Sequence, residues 1–200
     1  MWQISLIMAM LMLVIGIAID ISDVERYALR MQRLMDEGRY AEALHVGDRS
    51  DKTDERLLEL RIEALGHEKQ LGERLFAYPV KGGSHSLTIG GKSLYSLGGD
   101  YTLCASLIDK DLDRFVELLP QYYEVDERLP RYYREALILY THLRTNPKIV
   151  YHDAVMDTDY DDLQQLERKY PDRRARQVAV YRQYEGTYWY YYENTDKRQL

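Results

Sequence analysis

Apolar and polar positions along this chain follow two rhythms. From Met1 to Ile19 the only polar side chains are Gln3 and Ser5, and Leu6 to Ile19 holds nothing but apolar residues and one glycine. As a helix the run spans about 28 Å, close to the roughly 30 Å hydrocarbon core of a bilayer, so residues 1–20 read as a transmembrane helix with residues 1–19 in contact with lipid. A cleavable leader fits less well: no Lys or Arg precedes the run, and Gly16-Ile17-Ala18-Ile19-Asp20 is a poor small-x-small cleavage site. Arg26, Arg30 and Arg33 follow it. Counted by the positive-inside rule, they put the rest of the chain on the cytoplasmic side of a bacterial inner membrane, a count that further spans upstream would void.

Residues 21–194 then show short helical periods. Ser22-Asp23-Val24-Glu25 is a capping box, and Val24, Tyr27, Ala28, Met31, Leu34 and Met35 recur at three- and four-residue steps until Gly38 stops the helix. A second helix is predicted over 39–46, others over 54–66 and 68–78, the last closed by Pro79. Residues 79–92, with Pro79, Gly82, Gly83, Gly90 and Gly91, read as a long surface loop or a small irregular hairpin. Periodicity resumes at Leu94, with Gly98-Gly99 able to delay the helix to Asp100, and continues over 110–119, which Pro120 ends. A helix opened by Pro130 in its first turn follows, then 159–170 and 172–184, an aromatic cluster from Tyr188 to Tyr192, and a frayed tail at 195–200. No convincing succession of strands appears.

The first hairpin resembles a tetratricopeptide repeat, with Tyr27, Leu34, Gly38, Tyr40 and Ala43 standing where that motif wants large, apolar, turn, aromatic and small residues. It departs at Gly47, where a large aromatic is usual. Tyr133-Arg134-Glu135-Ala136-Leu137 echoes Tyr40-Ala41-Glu42-Ala43-Leu44, but the spacing supports no regular array. The fold class is therefore all-α: a transmembrane helix followed by an irregular α-solenoid or helical-hairpin stack.

A net charge of −6 removes any global attraction to nucleic acid. The single cysteine, Cys104, lies in an apolar helical pattern and reads as a small buried hydrophobe. Nineteen tyrosines against two Phe and two Trp favour half-buried helix seams, with rings packed and oxygens hydrogen-bonded.

Four motifs invite chemistry. Ser86 to Ser93 ends in Gly91-Lys92-Ser93 like a phosphate-binding loop, but Ser86 occupies the position of the first glycine, and Asp109, which could pose as the magnesium-positioning acid, sits in a helical period. Asp157, Asp159 and Asp161 have the spacing of a calcium loop, yet Asp162 replaces its glycine and Arg168 its glutamate, so they read as acids at a helix start. His45, His67, His85, His142 and His152 are scattered without metal-ligand spacing. Arg168, Lys169, Arg173, Arg174 and Arg176 form a basic cluster expected to pair with the neighbouring acids or remain solvated. The reading assigns no catalytic, cofactor-binding or metal residue.

Three strings carry a second resemblance: Leu71 to Tyr78, Leu129 to Leu137, and Thr187-Tyr188-Trp189-Tyr190-Tyr191-Tyr192. The chain resembles a bacterial membrane-protein family of unknown function with several N-terminal spans and a helical C-terminal domain. One span here against several there implies a truncated or split form. Two functions follow as expectations: a membrane-anchored, non-catalytic interaction or scaffold module with a protein or peptide partner, or the soluble part of a larger membrane enzyme or transporter whose active site lies elsewhere.

Overall fold

The computed structural model describes residues 22–195. The transmembrane helix expected over 1–20 lies outside them, as do tail residues 196–200. Among the described residues no helix is long and apolar enough to cross a membrane.

Helix α1 (Asp23–Asp36) begins where the capping box predicts, with the Ser22 hydroxyl accepting from the Glu25 N–H at 3.2 Å. It ends before Gly38, whose φ of +74° lets the chain reverse. The second helix of the hairpin, α2, is shorter than expected, Tyr40–Ala43 instead of 39–46. After Ala43 the bonds tighten to three-residue spacing, His45 to Glu42 and Val46 to Ala43. Gly47 then lies under the Tyr27 ring, where a Cβ would approach within 2.8 Å, so glycine is required where the repeat motif wants an aromatic.

Asp54 caps α3 (Glu55–His67) by accepting from the Leu57 N–H at 2.8 Å. The stretch predicted over 68–78 divides into α4 (Leu71–Arg74) and a 3-10 turn, Leu75–Ala77. The glycine loop holds a minimal antiparallel hairpin, β1 (Thr88–Ile89) with β2 (Lys92–Ser93), turned through Gly90 and Gly91 at positive φ. Helix α5 (Leu94–Leu97) is separated from α6 (Gly99–Ile108) at Gly98, then α7 (Leu112–Leu118) and α8 (Arg131–Leu143) follow. Pro130 is the residue before α8, not a member of its first turn. The chain closes with α9 (Ala154–Lys169), α10 (Arg173–Tyr184) and α11 (Tyr188–Asn194).

Among the described residues the protein is all-α apart from the short hairpin. Every residue from Thr102 to Ile108 is buried, so α6 is a central helix, apolar nearly all round. Contacts join mostly successive helices, but α4 also packs on α8 and α6, and α11 folds back onto α8. The return of α11 satisfies the end of α6: the Tyr191 and Tyr188 hydroxyls donate to the Ile108 and Leu107 carbonyls at 2.7 and 3.3 Å. Carbonyls in a helix's last turn have no partner within the helix, which is why tyrosine, with its hydroxyl, serves here.

Candidate binding groove

Helices α8, α9 and α10 and the start of α11 enclose an open groove of about 810 Å³. Asp153 sets the beginning of α9. Its carboxylate accepts from the Val155 and Met156 N–H groups at 3.1 Å and pairs with Arg134 at 3.2 Å. The helix therefore starts five residues before the predicted 159, and the acids taken for its first turn lie along its N-terminal half.

The groove's floor is fixed by Glu135, which is 2% exposed. Its carboxylate accepts from Arg131 Nε at 2.7 Å and from the Tyr188 N–H at 2.6 Å, while its backbone carbonyl accepts from Trp189 Nε1 at 2.8 Å. Burial pushes the Glu135 pKa above the usual glutamate value, and the nearby Arg131 guanidinium opposes the rise. Met156, Leu166 and Tyr184 line the walls, with Asp159, Asp162 and Lys169 at the rim. The floor is thus hydrogen-bonded to α11 and the rim is polar.

A second cleft of about 310 Å³ lies between the turn at 48–51, residues 76–80 and the Tyr181 and Tyr190 side chains. Beneath it Arg61, 1% exposed, sits 4.9 Å from the centre of the Tyr78 ring and donates to the Gly47 carbonyl at 3.1 Å. Burial lowers its pKa. Arg61 thus ties α3 to the chain after α2.

The motifs singled out in the sequence separate in space. Lys92 and Ser93 are exposed on β2, and the helix after them has only four residues, so the phosphate-binding pattern builds no cradle. Asp109 instead fastens the glycine loop, accepting from the Ser84 N–H at 2.8 Å, the Ser84 hydroxyl at 2.5 Å and the Tyr95 hydroxyl at 2.8 Å. Asp157, Asp159, Asp161 and Asp162 lie on regular helix and cannot wrap one ion. Among the described residues no three His, Cys, Asp or Glu side chains could hold a metal. His142 and His152, ten residues apart, do approach opposite oxygens of Asp157, at 3.8 and 3.3 Å. Cys104 is buried, 3.6 Å from the Tyr133 hydroxyl, and burial pushes its thiol up to about 12.

Sequence reasoning missed Glu135 and Asp153. The signal for Asp153 was available: a side chain able to cap, followed by Ala154 and Val155. Nothing local marks Glu135, since its partner Tyr188 is 53 residues away.

The molecule is thus an all-α protein with a polar-rimmed groove between its C-terminal helices. Residues 95–195 match the model of a family of unknown function, DUF6057, and the chain belongs to that family. All four groove elements lie inside the matched segment, whereas the second cleft draws on residues 48–51 and 76–80 outside it. No curated protein and no solved structure matches the chain.

Proposed function

We propose that this protein is a membrane-tethered, non-catalytic binding module: an irregular helical-hairpin stack whose α8–α10 groove receives a helical segment of another polypeptide chain. The observation that carries the reading is the groove itself. Its floor acid is fully engaged by Arg131 and the Tyr188 N–H, while its rim offers acidic and basic side chains to a ligand. The tether rests on the apolar run from Leu6 to Ile19 and makes residues 1–19 the contact with lipid. No affinity for nucleic acid is proposed for so acidic a chain.

The test is site-specific photocrosslinking of the full chain in its native membrane. A photoreactive residue replacing Gln183, which lines the groove, is expected to give a discrete protein adduct. The same residue replacing the exposed Arg56, far along the chain on α3, is expected to give none. Absence of an adduct from Gln183, or equal labelling from both sites, overturns the reading.

A further inference from the structure

Helix α9 carries an ordered pattern of charge. Asp161 and Asp162 stand four and three residues before Gln165, and Arg168 and Lys169 stand three and four residues after it. Positions three and four apart share a helix face, so these five side chains form one stripe, acidic at one end, neutral in the middle and basic at the other. All five are exposed.

The fold gives the stripe's charges no ionic partner among the described residues, although Lys169 Nζ lies 5.9 Å from the centre of the Tyr170 ring. The α9–α10 pair runs antiparallel, bringing the Tyr184 hydroxyl near the end of α10 to the Asp159 carbonyl at 3.1 Å. The acids therefore sit beside the end of α10 and the cations at the hairpin tip, where Arg173 and Arg174 add charge of the same sign. Of the two expectations for the acidic and basic clusters, pairing or remaining solvated, the exposed side chains of α9 follow the second. Among the described residues Asp161, Asp162 and Lys169 make no ion pair, and Arg168 bonds only the Gln164 amide, at 3.3 Å. On α1, by contrast, Arg26 is matched to Asp23 and Arg33 to Glu37, the residue that follows the helix.

We propose that the chain seated on this face is a second copy of the protein, docked α9 against α9 in antiparallel fashion about a two-fold axis through Gln165. The charges on either side of Gln165 are in mirror order of opposite sign, so an antiparallel copy brings Asp161 to the partner's Lys169 and Asp162 to the partner's Arg168. The two-fold axis repeats both pairs. No other register or direction matches all four charges. Asp162, Gln165 and Lys169 also belong to the groove rim, so the contact extends the groove reading and rests on it. Exposed ion pairs are individually weak and screened by salt, and the dimer is accordingly salt-sensitive.

Charge reversal tests this cleanly. The full chain in detergent, measured by sedimentation, is expected to be dimeric at low ionic strength and to dissociate as salt rises. D161K with D162K makes the stripe wholly basic, and R168E with K169E makes it wholly acidic. Each pair is expected to raise the dimer dissociation constant roughly tenfold or more, with unchanged circular dichroism, and an equimolar mixture is expected to recover the dimer as a heteropair. Q165C is expected to form a disulfide-linked dimer on mild oxidation, since the native Cys104 is buried and unavailable. A monomeric wild type, reversals that leave association unchanged, or a mixture that stays monomeric overturns the proposal. If it fails while Gln183 still crosslinks to a different protein, the groove reading stands alone; if Gln183 gives no adduct, the groove reading itself has failed.

Discussion

Glu135 shows how one side chain couples the groove to the core. Replacing it with alanine strands the Tyr188 N–H, which is buried, and releases Arg131. Hydrogen bonds to a charged group are worth about 1.5–3 kcal/mol, so Glu135→Ala is expected to lower unfolding stability by about 2 kcal/mol in urea titration. The pH dependence follows from the raised pKa. In the window between the ordinary glutamate value of 4.5 and the higher folded value, the unfolded chain ionises first, so this residue's contribution to stability falls as pH rises through that window. Glu135→Gln is expected to remove this slope in melting curves recorded from pH 4 upward. Tyr191 makes a second residue-scale case. Its hydroxyl is the acceptor's partner at the Ile108 carbonyl, and Tyr191→Phe is expected to cost about 1–3 kcal/mol by leaving that carbonyl dry. The tyrosine excess was legible in the composition, and its use on helix seams was expected. That Tyr132, Tyr133 and Tyr188 are almost wholly buried was not, because burial depends on which distant carbonyls and carboxylates meet the hydroxyls.

At the scale of elements, close approach explains features that propensity leaves open. Gly72 lies in α4 where it crosses α8, and a Cβ there would fall 2.6 Å from the Pro130 Cβ and 2.9 Å from the Tyr133 ring. Both neighbours are held rigidly, so Gly72→Ala is expected to cost about 1–3 kcal/mol and lower the thermal midpoint. Gly66 presents a milder case, since its obstacle is the movable end of Tyr101. The helices with strong caps and clear periodicity, α1, α3 and α10, were readable within a residue or two. The first hairpin's second helix and α9 were not. One ends early, where its bonds tighten to three-residue spacing after Ala43, and the other is lengthened by an acid whose capping role is reinforced from α8 by Arg134.

For the whole molecule the remaining prediction concerns the proposed tether. Lysine at the centre of a membrane helix costs about 2.5–3.5 kcal/mol, so L11K with L13K is expected to move the full chain from the floating fraction of a vesicle gradient into the soluble fraction. Wild-type protein that fails to float removes the tether without touching the groove. The sequence by itself determined the all-α class, the order of the helices and the placing of Cys104 in the interior, because apolar spacing and capping side chains act within a few residues of one another. The groove and the engagement of Glu135 were decided only by the tertiary structure. Each depends on groups far apart in the chain, and the same local pattern is compatible with many ways of packing one helix on the next.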